Sequence, residues 1–305
     1  MAEPVGRVAA WATSRLELPR LVTTPGELRR LTLDQTAAGQ TVGLVPTMGS
    51  LHQGHLSLVA AAQRECDFVV VSIFVNPLQF GVDEDFLTYP RQLDADLRLL
   101  AERKVDASYC PAVATVYPPD FATKVLVDAG GELWEAASRP GHFTGVATVV
   151  AKLLAATGPC RAYFGEKDAQ QVAVVARLAA DLDLGAEVRI CPTVRDHDGV
   201  ALSSRNQLLS KAGREAARCL SLGLTAAARQ FGAGNRSGAE LGRAIAAAVA
   251  AEPNARLDYA GVVNAEDFQP VPLAESGSRA LVAAEIEGIH LIDTALLDSP
   301  PSLGG

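Results

Sequence analysis

The chain has 305 residues, 49% of them apolar and only 5% aromatic, and a formal net charge of −8. That length accommodates one large domain or two, and an acidic balance without a long Lys/Arg run argues against nucleic acid as a partner, though a local pocket can still be positive. Five scattered cysteines, Cys66, Cys110, Cys160, Cys191 and Cys219, include no C-x-x-C pair, which speaks against a disulfide framework or a zinc cluster and fits a reducing, cytoplasmic setting. The stretch 1–20 lacks the apolar run of a signal peptide, and no segment nears the roughly 18 apolar residues of a membrane helix, so no membrane partner is expected. The ends, 1–18 and 299–305, are expected to be mobile tails.

The first clear element is the apolar run 42–45, read as a strand that stops at Pro46. A helix follows at 56–64. "DFVVVSIFV" at 67–75 is a nearly continuous β-branched and aromatic run, the pattern of a central parallel strand buried on both faces. A long loop carrying Pro77, Gly81 and Pro90 leads to a helix at 91–105 and a short strand at 106–110. Residues 142–156 place Val146, Val149, Val150, Leu153 and Leu154 on one helical stripe. A strand at 161–165, a helix at 168–182 and a strand at 187–190 complete the alternation. Strands alternating with helices give an α/β class, a Rossmann-like doubly wound parallel sheet, assigned here to 19–193. Beyond it, 194–298 reads as a smaller α+β domain. It opens with a hairpin turning at Asp198-Gly199, continues with alanine-rich helices at 210–231 and 237–251, and ends in strands at 257–263, 279–287 and 290–292.

Ligands of open α/β sheets bind beyond the carboxyl ends of strands. "PTMGSLHQGH" (46–55) sits at such an end, and His52 and His55 fall three residues apart where a helix begins. A helix start offers unpaired N–H groups and a positive dipole end, so imidazole donors placed there extend a phosphate site. Two capping histidines, or a metal pair, explain the strand–Gly–His-x-Gly-His order less well. Walker and G-x-G-x-x-G loops are absent. Asn76 and Gln79 follow the buried strand at the same edge, and the amide of Gln79 suits a hydroxyl and a carboxylate together. "YFGEKD" (163–168) brings Lys167 and Asp168 to another strand end; a salt-bridge cluster is the alternative reading. "ALSSRN" (201–206) sets Ser203, Ser204 and the bidentate donor Arg205 in one tight segment suited to triphosphate oxygens, or equally a helix-start turn. Asp96 is a candidate Mg²⁺ contact through phosphates. Arg139 and His142 precede a core helix, where His142 reads as a cap, and Lys152 on that helix as a snorkelling surface lysine.

These blocks, with "RPGHFTGVATVVAKL" (139–153), "PTVRDHDGVALSSRN" (192–206) and "HLIDTA" (290–295), resemble the pantoate–β-alanine ligase family of HxGH nucleotidyltransferases, in order, over about 42–295. The resemblance implies ATP-dependent condensation of (R)-pantoate with β-alanine through a pantoyl adenylate, with Mg²⁺ as cofactor and a homodimer as the assembly. It implies catalytic roles for His55, His52, Lys167 and Arg205. It further implies ATP contacts from Met48, Gly49, Ser50, Leu51, Gln53, Gly54, Gly165, Glu166, Asp168, Val194, Leu202, Ser203 and Ser204, and contacts to pantoate or β-alanine from Gln79, Gln171 and Asn76. Leu202 stands where the family has Met, and Ala169 where it often has an aromatic residue. Another HxGH adenylyltransferase acting on a small carboxylate is the alternative.

Overall fold

The computed structural model describes residues 17–81, 85–128 and 132–301. Of the tails expected to be mobile at 1–18 and 299–305, residues 1–16 and 302–305 lie outside the described residues. Strands β1 (Arg20–Val22), β2 (Val42–Thr47), β3 (Phe68–Ile73), β4 (Ala107–Tyr109), β5 (Cys160–Gly165) and β6 (Ala186–Cys191) form one parallel sheet in the order β1-β4-β3-β2-β5-β6. Strands β7 (Ala255–Val263), β8 (Arg279–Ile286) and β9 (Ile289–Leu296) form a second, antiparallel sheet. The helices are α1 (Pro25–Ala37), α2 (Gln53–Glu65), α3 (Leu93–Glu102), α4 (Val113–Val116), α5 (Glu135–Ser138), α6 (His142–Thr157), α7 (Ala169–Asp181), α8 (Lys211–Ala216), α9 (Arg218–Gly232) and α10 (Gly238–Ala250).

Period-two alternation explains why the central strands read as continuous apolar runs. Val42, Leu44, Val70, Ala162 and Phe164 face one side, under Leu28 of α1, Val146, Val150 and Leu154 of α6, and Val172 and Val175 of α7. Val45, Val69, Val71 and Tyr163 face the other side, under Leu58, Val59 and Ala62 of α2 and Leu100 of α3. Each fully buried Val or Leu stabilises the fold by roughly 1.5–3 kcal/mol. The second sheet is covered on one face by α9 and α10 through Leu220, Leu224, Leu241 and Ile245. Its other face turns Val263 and Leu281, with Phe268, toward Ala169 and Ala173 of α7 and toward Trp134.

Trp134 locks this seam. It adopts φ 57°, a left-handed value unfavourable for a bulky residue. Its indole fills the space above Gly261 of β7, where a Cβ would lie 2.2 Å from Cη2, and its Nε1 donates to Phe268 O at 2.9 Å.

The structure extends and corrects the sequence reading at the edges. β2 runs through Pro46 to Thr47 instead of stopping at the proline. It pairs with β3 along its full length but with β5 only at Gly43 and Leu44, so Pro46 lies where the β5 ladder has already ended. The expected helix at 210–231 is two, α8 and α9. β1 and α1 went unread, although Thr24 and Glu27 form a capping box that starts α1. No helix among the described residues is long and apolar enough to cross a membrane.

Gly145 lets α6 press against the 3₁₀ turn Pro77–Gln79: a Cβ there would lie 2.2 Å from Leu78 O, and backbone cannot yield cheaply. Gly145→Ala is expected to destabilise the protein by about 1–3 kcal/mol. A thermal midpoint equal to wild type would contradict this packing.

Candidate active site

The cleft opens where β2 and β5 part, and continues as a cavity of about 250 Å³ between the first sheet's carboxyl edge and the second sheet. The turn after β2 needs left-handed backbone at two successive residues, Gly49 (φ 83°) and Ser50 (φ 51°). Asp96 of α3 holds this turn from behind. Its Oδ2 accepts from Ser50 N and its Oδ1 from Leu51 N, both at 2.8 Å, and Gly49 N donates to Thr47 Oγ1 at 3.2 Å. Burial raises the Asp96 pKa, and the two backbone N–H bonds oppose that shift. Asp96 is 2% exposed and does not line the cavity. Both oxygens of this residue, expected to contact Mg²⁺ through phosphates, accept from the backbone of the turn.

His52 and His55 complete the turn as a capping box built from imidazoles. His52 is the N-cap of α2, and its Nδ1 accepts from Gly54 N at 3.1 Å. His55 reaches back so that its Nδ1 accepts from His52 N at 3.4 Å. The rings lie 4.0 Å apart between centroids. A ring nitrogen that accepts an N–H holds a lone pair, so each neutral imidazole carries its proton on Nε2. Burial, then the Lys167 charge, lowers the His52 pKa to about 4. Burial, then His52 and Lys167, lowers that of His55 to about 3. The backbone N–H groups of residues 49–52 and 54 hold the turn and orient the two imidazole donors.

Lys167 and Asp168 follow β5 on a 3₁₀ turn, line the cavity with Gly165, and are 3.3 Å apart. Glu166 faces away from it. Its Oε1 takes a bond from Arg279 Nη2 at 2.8 Å, which ties this turn to β8. Val194, Leu202, Ser203, Ser204 and Arg205 line the opposite wall. Ser204 Oγ donates to Ser50 O at 3.1 Å, so the wall is hydrogen-bonded to the first turn. The Arg205 fork is occupied: Nε and Nη2 donate to Asp85 Oδ2 and Oδ1 at 2.8 and 2.9 Å. Burial raises the Asp85 pKa, but the bonds and charge of Arg205 outweigh it and the net shift is downward. Of the residues expected at the ATP site, Met48, His52, Gly54 and His55 also line the cavity, whereas Gly49, Ser50, Leu51 and Gln53 do not. Asn76, Gln79 and Gln171 line the cavity too.

The Pantoate-beta-alanine ligase family model matches residues 20–296. The chain belongs to this family. It is 51% identical over 285 residues to a pantothenate synthetase of Rubrobacter xylanophilus, covering 91% of this chain and 98% of that protein. The crystal structure of a Thermus thermophilus pantothenate synthetase superposes with a TM-score of 0.85 at 48% identity, covering 91% of this chain and 99% of that one. A Francisella tularensis pantoate-beta-alanine ligase, complexed with beta-gamma ATP and beta-alanine, superposes with a TM-score of 0.75 at 33% identity, covering 93% of this chain and all (100%) of that one.

In this ligase a further group of cavity residues escaped the sequence reading. Glu135, 4% exposed, takes bonds from Tyr259 Oη at 3.0 Å and Arg139 Nη1 at 3.2 Å, and its Oε2 lies 3.0 Å from His290 Nε2. Burial alone would raise the pKa of Glu135; the bond and charge of His290, with Arg139 and His142, bring it down to about 2. Arg139 Nη2 and His142 Nδ1 both donate to Gln79 O, at 3.2 and 2.8 Å. Arg139 and His142 therefore hold the turn that presents Gln79, a role their helix-start position does not disclose.

The two lowered histidine values carry a sign. Because the folded values lie below the usual 6.5, the unfolded chain takes up these protons first as pH falls. The stability tied to the neutral pair is full above pH 6.5 and is lost progressively toward about 4 and about 3. His55→Gln, which keeps an acceptor for His52 N, is expected to flatten the decline of unfolding free energy below pH 6.5. Urea titrations across that range check it, and a wild-type slope in the variant contradicts it.

Proposed function

We propose that this ligase condenses pantoate with β-alanine at the expense of ATP, through a pantoyl adenylate, releasing pyrophosphate and AMP. The observation that carries the reading is the fixed Nε2–H of His52 and His55, beside Lys167, in one cavity with Gln79 and Gln171. Donors for an anionic leaving group and a grip for a small hydroxy acid share one cavity.

In the first step a pantoate carboxylate oxygen attacks the α-phosphorus of ATP, and the electron pair of the broken P–O bond leaves on pyrophosphate. The nucleophile is already ionised at neutral pH, so no base is needed. The barrier lies in bringing two anions together and in the charge gathering on the leaving group. Positioned N–H donors and the Lys167 cation address both. Neutral imidazoles serve as hydrogen-bond donors there, and an approaching triphosphate favours their protonated form. Arg205, paired with Asp85 and 5.8 Å from the centroid of the Tyr89 ring, is assigned to holding segment 85–89 over the cavity. In the second step the β-alanine amine, freed of one ammonium proton, attacks the acyl carbon. It sheds a second proton as the amide forms, and AMP leaves with the electron pair. Residues 194–298 act as the lid that keeps water from the anhydride.

Burial pushes the thiols of Cys110, Cys160 and Cys219 up to about 11, about 12 and about 11, in keeping with a mechanism without covalent enzyme intermediates. Magnesium enters as the companion of ATP, held mainly by phosphate oxygens and water. The proposed assembly is a homodimer. The edge strand β6 exposes Ile190, which lines a surface groove together with the exposed Leu182 and Leu126. The proposed compartment is the cytoplasm, in keeping with five free cysteines.

Exchange of labelled pyrophosphate into ATP is expected to require pantoate and to proceed without β-alanine. His55→Ala is expected to lower the exchange rate by about 10²–10³ while the protein stays folded. Exchange indifferent to pantoate would overturn the assignment.

A further inference from the structure

The end of Gln79 that meets the cavity is decided by backbone groups two hydrogen bonds away. A backbone N–H only donates and a backbone carbonyl only accepts. Leu78 N lies 3.3 Å from one terminal atom of Asn76, which must then be Oδ1. Gly145 O lies 3.1 Å from the other, which must be Nδ2. That same Nδ2 is 3.0 Å from the nearer terminal atom of Gln79, which must accept and is therefore Oε1. Nε2–H₂ is left as the group that Gln79 offers to the cavity it lines. Asn76 and Gln79 are 1% and 8% exposed, so water gives little freedom to invert the pair.

Tyr117 adds a third hold from outside the cavity wall. Its hydroxyl donates to Asn76 Oδ1 at 2.8 Å. Its ring packs between Phe74 and Phe121, at centroid distances of 6.1 and 5.0 Å. Burial raises the phenol pKa, so the hydroxyl remains a donor at working pH.

Resting on the functional reading above, we propose that Tyr117 and Asn76 are positioning residues that lock the Gln79 amide with its N–H₂ toward the cavity. This wall then receives hydrogen-bond acceptors, the carboxylate or hydroxyl oxygens of the hydroxy acid. A site built to donate loses affinity when turned to face an acceptor with an acceptor, because a buried polar group is then left unpaired.

The test is pantoate-dependent ATP–pyrophosphate exchange on the full chain, with wild type in parallel. Tyr117→Phe removes one bond of the relay. It is expected to raise KM for pantoate about three- to tenfold, with kcat and KM for ATP within about twofold of wild type. Asn76→Asp keeps an acceptor toward Tyr117 and Leu78 but replaces the donor, which inverts Gln79; it is expected to raise KM for pantoate more than Tyr117→Phe does. If Tyr117→Phe does not fold, Asn76→Asp decides in its place. An unchanged pantoate KM, or a loss shared equally by pantoate, ATP and kcat, overturns the relay while pantoate-dependent wild-type exchange leaves the functional reading intact. Wild-type exchange that ignores pantoate sinks both.

Discussion

Two backbone N–H groups pointing at two imidazole Nδ1 atoms set the chemistry of this site. In most capping boxes the partners are a hydroxyl and a carboxylate, and the result is a helix start. Here the helix start is also a pair of tautomers. Gly54 N and His52 N each require a lone pair, and each ring answers by carrying its hydrogen on the far nitrogen. The same burial that lowers their basicity keeps them neutral, so each ring presents a hydrogen on Nε2. Asp96 makes this possible at one remove: it fixes the left-handed turn at Gly49 and Ser50 from which the capping geometry follows.

The second sheet is held to the first by polar contacts that flank the cavity. Arg279 reaches Glu166 beside Lys167, and His290 of β9 and Tyr259 of β7 both meet Glu135. Arg195 grips Asp293 of β9 through two bonds at 2.6 and 2.9 Å, which anchors the turn that leads into Ser203 and Ser204. Buried pairs of this kind add modest net stability, yet removing one partner leaves a stranded charge at a cost of about 3–5 kcal/mol. Their value here is placement: they set two walls of one cavity at a defined separation.

The alternation of strands and helices was legible because the central strands are covered on both sides and read as unbroken apolar runs. His52, His55, Lys167, Ser203 and Ser204 were legible because each sits in a short segment at a strand end or tight turn, where spacing in sequence is spacing in space. What stayed hidden was long-range. Asp96 meets its turn across 46 residues, Arg205 meets Asp85 across 120, and Glu135 meets His290 across 155. A carboxylate in a helix gives no sign of which distant amide it will satisfy. β1 and α1 were missed for a different reason. β1 is three residues long, and α1 buries only Leu28, Leu31 and Thr32, so neither shows a strong period.

The strained tryptophan at the seam gives the molecule a native optical reporter. Of its two tryptophans, Trp11 lies outside the described residues, while Trp134 bridges α5 to the far sheet, stacked above Gly261 and 5.8 Å from the Tyr259 ring. Any rocking of one half of the molecule against the other has to move that indole relative to a polar carbonyl and a neighbouring phenol. In a Trp11→Phe background the emission of this indole reads the packing of the seam, with no foreign dye attached.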